Sequence, residues 1–247
     1  MASSLYDHPD LYDLVAPADG EMIDFYVGVA QANGQAVLDL ACGTGRISLP
    51  LAKAGLNVVG GDLSDTMLAE ARASASGSTV AVEFVRLDMR DFELGRSFDT
   101  ILIAANSMLH LQTADDFAGL LTCVRRHLRP GGQFVFDAFV PSAGLLSLPP
   151  GMRQLVGNFI HPTHGDLRLE ETIHYDAIAQ VSHVDWYWSD RQRPDFVHMQ
   201  LEMRQIFPQE MPLLLAAGGL RLVARYGDFD RSPLTGASRR QVCIAAV

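Results

Sequence analysis

Hydrophobic positions change their spacing once, sharply, along this 247-residue chain. Before residue 140 they come in short continuous runs separated by stretches of helical period. Ala36 to Leu40 (A-V-L-D-L) is the first run, and after the turn at Gly43 and Gly45 a helix is predicted over Arg46 to Ala54, closed by Gly55. The alternation then repeats. Asn57 to Gly61 leads to a helix over Asp65 to Ser74 that Ser64 can cap, and Val80 to Leu87 is a third strand. Phe98 to Ala105 is the fourth, and Thr113 can cap a helix over Ala114 to Leu128. The turn R-P-G-G then leads into a fifth strand, Gln133 to Phe139. Runs this apolar mark parallel strands covered on both faces, and strand–helix alternation predicts a doubly wound α/β sheet.

The pattern then breaks. Pro141 to Pro150 (P-S-A-G-L-L-S-L-P-P) reads as a linker, and beyond it the apolar residues alternate at period two. Leu167, Leu169, Glu171, Ile173 and Tyr175 share one face; Val184, Trp186 and Trp188 share another; Val197, Met199, Leu201 and Met203 a third. Three antiparallel strands joined at D-A-I-A-Q and D-R-Q-R-P-D are expected. The chain closes with a helix over about Gln209 to Ala217, a strand Leu220 to Tyr226, the loop G-D-F-D-R-S-P-L-T-G-A-S and a strand Gln241 to Val247. Ahead of the first strand, Asp19 can cap a helix reaching about Ala32. Before it, Leu5 to Val15 forms an apolar leader around D-H-P-D.

Composition narrows the class. At 48% apolar residues the chain can build a sizeable core, and a net charge of −10 with pI near 5.1 opposes a nucleic-acid surface. Cys42, Cys123 and Cys243 lie far apart in apolar settings, which indicates neither a disulfide framework nor a zinc site. No run reaches about 18 apolar residues, and the first 30 residues carry no signal-peptide pattern, so a cytoplasmic protein without a membrane partner is expected. His161, His164, His174, His183 and His198 all fall in the period-two segment. None has the helical i, i+4 pairing with a carboxylate of a metal site, so no metal is expected.

The chemistry concentrates at the first glycine turn. Gly43 and Gly45 permit positive φ and bring bare backbone to a ligand, and Asp62, 17 positions after Gly45, stands where a doubly wound fold sets a carboxylate on ribose hydroxyls. A dinucleotide fingerprint needs a third glycine where Ser48 stands. An adenosine-type ligand without a pyrophosphate is favoured.

As a set, V-L-D-L-A-C-G-T-G (Val37 to Gly45), G-G-D-L-S (Gly60 to Ser64), F-V-R-L-D-M-R-D-F (Phe84 to Phe92), F-D-T-I-L-I-A-A-N-S-M-L-H-L (Phe98 to Leu111) and L-R-P-G-G-Q-F-V-F-D (Leu128 to Asp137) resemble the class I S-adenosylmethionine-dependent methyltransferases. One departure is Ala41, where the family often has the first of three alternating glycines. The resemblance implies a seven-stranded Rossmann-like sheet with its last strand antiparallel. Residues 1–140 and 207–247 would form the cofactor-binding core with an N-terminal helical lid, and 141–206 an inserted antiparallel β cap, with a dimer interface as the cap's other reading. It implies S-adenosyl-L-methionine as cofactor and S-adenosyl-L-homocysteine as product. Cofactor contacts would come from Asp39, Ala41, Cys42, Gly43, Gly45, Arg46, Asp62, Leu63 and Ala104, with Asp88 on the adenine amine and Met67 and Met89 against its ring. The plainer readings are a turn residue for Asp88 and core methionines. At the acceptor, Asn106 and His110 follow the fourth strand, where such folds bind ligands, and Asp137 ends the fifth. Tyr6 and Tyr12 of the leader would line the pocket or simply pack.

The reaction implied is in-line methyl transfer to a nitrogen or oxygen of a small molecule by a monomer or homodimer, the N-S-M-L-H-L segment resembling glycine and amino-sugar N-methyltransferases. A nicotinamide-dependent oxidoreductase and a non-catalytic binding protein on the same fold stay open on the residues alone.

Overall fold

The computed structural model describes residues 3–17 and 19–247. The chain divides into two compact units: Ala18–Val140 with Ile206–Val247, and the leader up to Pro17 with Pro141–Gln205.

The larger unit holds seven strands: β1 (Ala36–Leu40), β2 (Asn57–Asp62), β3 (Glu83–Arg86), β4 (Phe98–Ile103), β5 (Leu128–Phe139), β6 (Arg221–Tyr226) and β7 (Arg240–Ala246). They lie in the order β6-β7-β5-β4-β1-β2-β3, with β7 antiparallel to both neighbours and the other pairings parallel. The doubly wound sheet expected from the sequence, including its antiparallel strand, is present. Its order switches direction between β1 and β4, the place where open α/β sheets bind ligands. Val37, Leu38 and Leu40 of β1 and Ile101 to Ile103 of β4 are wholly buried, as central parallel strands require.

Helices α1 (Gly20–Asn33), α2 (Ser48–Lys53), α3 (Asp65–Ser76), α4 (Ala114–His127) and α5 (Met211–Ala217) complete the unit. Their starts follow side-chain capping. Asp19 accepts from the Glu21 N–H at 3.0 Å, Ser64 from the Met67 N–H at 3.2 Å, and Thr113 with Asp116 forms a reciprocal capping box. Helix α2 starts two residues later than the pattern predicts, because the tight turn continues through Ile47. Strand β5 starts at Leu128: the R-P-G-G segment runs within it, with a shift in pairing against β4 and Gly131 at φ +81°.

The second unit has four antiparallel strands, Gln154–His161, Gly165–Asp176, Val181–Ser189 and Val197–Arg204, where the sequence predicts three. The strand Gln154–His161 is hidden because a bulge between Leu155 and Gly157 interrupts its alternation. Residues Ser3–Ser4 add a short parallel strand beside Val197–Arg204, and the expected linker contains a short helix, Ala143–Leu146. The leader groups with this sheet and not with the core unit, a correction to the predicted boundary. Its reason is packing: Leu5 and Leu11 are buried with Leu167, Leu169, Trp188 and Met199 in one apolar cluster. Among the described residues no helix is long and apolar enough to cross a membrane.

Candidate active site

The site grows from the carboxyl end of β1. Asp39, still within the strand, is 1% exposed and accepts from the Ser48 hydroxyl at 2.6 Å. Burial pushes its carboxyl up to about 7, against the Ser48 hydrogen bond and the Arg46 charge, which pull it down. Ser48 is itself wholly buried, so the position that lacks the dinucleotide glycine holds this carboxylate.

Past Leu40 the backbone turns through left-handed conformations at Ala41, Gly43 and Gly45, with φ of 54°, 56° and 82°. Alanine at the first of these carries a strain of roughly 1–2 kcal/mol that glycine would not. At Gly45 a side chain is also sterically opposed, since a Cβ there would lie 3.2 Å from Phe84 Cζ.

The turn is stitched to β2. The Cys42 N–H donates to the Gly61 carbonyl at 3.1 Å, and the Gly43 N–H donates to Asp62 Oδ2 at 2.8 Å. Asp62 Oδ1 accepts from the Ser64 N–H at 2.8 Å. Burial raises the Asp62 carboxyl, while the Ser64 and Gly43 N–H groups oppose the rise. A carboxylate offers about four lone-pair positions. The Leu63 N–H also turns to this carboxylate, and the acceptor capacity that remains is what a ribose hydroxyl would use. Leu63, immediately after, is an exposed apolar side chain. Cys42 is buried, which holds its thiol well above its ordinary pKa and suits packing, not reactivity.

The next expected contacts lie after β3 and on α3. Asp88 lies in the turn after β3, where the Arg90 guanidinium donates through Nε to Oδ1 at 3.0 Å and through Nη2 to Oδ2 at 2.6 Å. That hydrogen bonding holds its carboxyl below the ordinary range. Met67 is 0% exposed on α3 and offers no surface to an adenine ring, which corrects the sandwich expectation; Met89 is half-buried.

After β4, Ala104 is buried, and Ala105 and Asn106 take φ of 56° and 63°, two successive non-glycine residues in the left-handed region. Asp137 near the end of β5 holds them there. Its Oδ1 accepts from the Ala105 N–H at 2.8 Å and the Tyr26 hydroxyl at 2.6 Å, and its Oδ2 from the Asn106 N–H at 3.2 Å. At 3% exposure, Asp137 is an internal clamp on this loop, a correction to the expectation that it faces an acceptor. Burial raises its carboxyl, with the Tyr26 and backbone hydrogen bonds opposing. Tyr26 is a partner of this loop's clamp that sequence reasoning missed, because Asp137 lies 111 positions away and a tyrosine within a helix signals only packing. Asn106 precedes the single turn Ser107–His110, whose last residue, His110, is half-buried.

Asp39, the Ala41–Arg46 turn, Asp62, Leu63 and Ala104 to Asn106 thus stand at the carboxyl ends of three adjacent strands. Tyr6 and Tyr12 belong to the other unit, where their rings are 6.0 Å apart and pack on its apolar cluster. Among the described residues one group has metal-ligand spacing: Asp10, His161 and His164. His161 Nδ1 accepts from the Thr163 and His164 N–H groups at 3.0 and 3.1 Å, which leaves the ring proton on Nε2, 3.2 Å from Asp10 Oδ2. An ion at Nε2 would have to displace that proton, so the group reads as a hydrogen-bonded pair.

Residues 37–132 match the methyltransferase domain family. The chain is 40% identical over 102 residues to a putative methyltransferase, YqeM, of Bacillus subtilis, covering 41% of each. It is 31% identical over 138 residues to the dTDP-3-amino-3,4,6-trideoxy-alpha-D-glucopyranose N,N-dimethyltransferase of Streptomyces venezuelae, covering 53% of this chain and 56% of that one. The chain spans about half the length of the curated relatives it matches. Over nearly the whole chain the fold is similar to the CcbJ methyltransferase from Streptomyces caelestis, with a TM-score of 0.86 and 25% identity across 99% of this chain and 98% of that one.

Proposed function

We propose that this chain, which belongs to the class I methyltransferases, catalyses transfer of a methyl group from S-adenosyl-L-methionine to a nitrogen of a small molecule, in the cytoplasm. The observation that carries the reading is the Asp62 carboxylate at the carboxyl end of β2, tied to the glycine turn by the Gly43 N–H and to the segment after the strand by the Ser64 N–H. The residues fit the cofactor. Asp62 would receive the ribose hydroxyls, the left-handed turn at Gly43 and Gly45 would lie against the methionine and ribose portions, and exposed Leu63 would pack on the adenine. Asp39, buried beneath the turn, would be driven toward its ionised form by the ammonium and sulfonium charges of the bound cofactor.

The bound cofactor brings an already activated methyl group. What the chain must add is therefore alignment and exclusion of water, an effect worth up to about 7–11 kcal/mol in favourable cases. The Asp137–Tyr26 clamp serves that need by fixing the Ala105–Asn106 loop, and with it the turn that carries Asn106 and His110. Half-buried His110 would take up the proton that a methylated amine releases. Nitrogen is chosen over oxygen on the similarity to the amino-sugar N,N-dimethyltransferase. The cytoplasmic setting accords with three free, buried cysteines.

Calorimetric titration with S-adenosyl-L-homocysteine, on the native protein and on Asp62→Ala, tests the reading. Binding to the native protein that is lost in the variant is expected. An absence of heat and of any thermal shift with the native protein refutes the cofactor assignment.

A further inference from the structure

The loop that joins β6 to β7 carries one aromatic residue, Phe229, set between Asp228 and Asp230. Its flanking residues suit solvent, yet the Phe229 ring is 4% exposed. The loop's own bonding turns it inward. The Gly227 N–H donates to the Ser232 carbonyl at 2.7 Å, the Phe229 N–H to Asp228 Oδ1 at 2.9 Å and the Ser232 N–H to Asp230 Oδ1 at 2.8 Å. A Cβ at Gly227 would lie 2.6 Å from the Pro233 carbonyl oxygen, so this closure needs glycine there. Arg231 takes φ of 64°, a strained conformation for a residue with a side chain. β7 is antiparallel to both β5 and β6, so the loop stands at the carboxyl end of the sheet, where Arg240 pairs with Phe139.

The ring completes an aromatic cluster. Its centroid is 5.8 Å from that of Phe25 and 5.9 Å from that of Tyr26, with a 54° tilt between the Phe229 and Tyr26 planes. The Arg240 guanidinium lies over the Phe229 ring at 4.8 Å while pairing with Asp228 Oδ1 at 3.4 Å. Tyr26 is the member that reaches the site. Its hydroxyl has one proton and two acceptors, Asp137 Oδ1 at 2.6 Å and the Ile103 carbonyl at 3.3 Å. Asp137 also receives the Ala105 and Asn106 N–H groups, and so holds two successive left-handed residues just before the turn that ends in His110. Residues with side chains stay in that region only where their surroundings over-determine it. A pivot of the Tyr26 ring toward the Ile103 carbonyl would remove one of the bonds that hold Asp137, and the clamp would slacken.

We propose that Phe229 is a positioning residue: its ring wedges Tyr26 so that the hydroxyl stays on Asp137, and the β6–β7 loop thereby fixes the Ala105–Asn106 pair. That this serves methyl transfer rests on the methyltransferase reading; the wedge itself does not.

Amide hydrogen exchange, followed by NMR on the intact protein, reads the clamp directly, because the Ala105 and Asn106 amides are its backbone donors. The Gly43 and Ser64 amides, bonded to the Asp62 carboxylate, serve as controls. Phe229→Leu removes the ring and keeps an apolar side chain. It is expected to speed exchange at Ala105 and Asn106 at least about tenfold and at the controls less than about twofold, as a local opening does. Phe229→Met is the second variant, with the same direction and a smaller factor. No acceleration at Ala105 and Asn106, or equal acceleration at all four amides, overturns the proposal. A double-mutant cycle tests the route through Tyr26. Tyr26→Phe has no hydroxyl to misplace, so adding Phe229→Leu to it should leave the Ala105 and Asn106 amides unchanged; the factor seen in the native background, repeated there, also overturns the proposal. S-adenosyl-L-homocysteine calorimetry on the native protein separates the two readings. Selective acceleration in Phe229→Leu without such binding keeps the wedge and loses the methyltransferase assignment, whereas binding without selective acceleration does the reverse.

Discussion

Removing the Asp62 carboxylate has a cost that the local geometry divides into two parts. Its oxygens accept the Gly43 and Ser64 N–H groups, both at 2.8 Å, and the proposed reading gives their remaining acceptor capacity to the ribose hydroxyls. A hydrogen bond to a charged group contributes about 1.5–3 kcal/mol net, so losing two ribose bonds weakens S-adenosyl-L-homocysteine by about 3–6 kcal/mol, or roughly 10²- to 10⁴-fold. Asp62→Asn retains one acceptor oxygen and is expected to lose about half of that free energy, roughly 10- to 150-fold. Both variants also release backbone donors of the turn, at about 1–3 kcal/mol of stability for a donor left buried. A double-mutant cycle separates these parts. Calorimetry is run on native protein and Asp62→Ala, with S-adenosyl-L-homocysteine and with its 2′,3′-dideoxy analogue. If the carboxylate acts through the hydroxyls, the analogue binds both proteins with nearly equal affinity. An analogue that loses the same factor as the parent ligand on passing to Asp62→Ala refutes the ribose role and assigns the whole effect to the turn.

Three further substitutions probe the two buried acids. Asp137→Asn turns an amide NH₂ toward one of the N–H groups that the carboxylate now receives, and is expected to lower stability by about 1–3 kcal/mol and to weaken S-adenosyl-L-homocysteine. Tyr26→Phe removes one donor of the three and costs about 1 kcal/mol, so urea unfolding that ranks Tyr26→Phe as the more damaging change contradicts the clamp. Asp39 gives a pH signature. Its carboxyl titrates at about 7 in the fold and near 3.9 in the unfolded chain, so between those values the unfolded state gives up its proton first. Stability from this group is therefore full below about pH 4, falls as pH rises and is gone above about pH 7, a change of roughly 4 kcal/mol at most. Urea unfolding of native protein and Asp39→Asn at several pH values should show that slope in the difference between them, and parallel curves would sink the assignment.

How far the sequence revealed this molecule depended on how far apart the cooperating residues lie. The turn from Ala36 to Gly45 was legible because its requirements are local: an apolar strand, positive φ at Gly43 and Gly45, and a carboxylate on the very next strand to bond the turn. The caps at Asp19, Ser64 and Thr113 were legible for the same reason, since each donor lies within three residues of its acceptor. The role of Asp137 was not, because a carboxylate at a strand end looks the same whether it meets a ligand or three internal donors. Two of those donors come from the loop 31 and 32 residues away and one from a helix 111 away. The same limit explains the leader. An apolar pattern at Leu5 and Leu11 says that these side chains will be covered, and does not say that Leu167, Leu169 and Trp188 will cover them. Period-two alternation likewise assigns Glu171 to an apolar face but cannot tell a charge that is fully paired there from one with an oxygen left over. That difference depends on Trp186 one strand across.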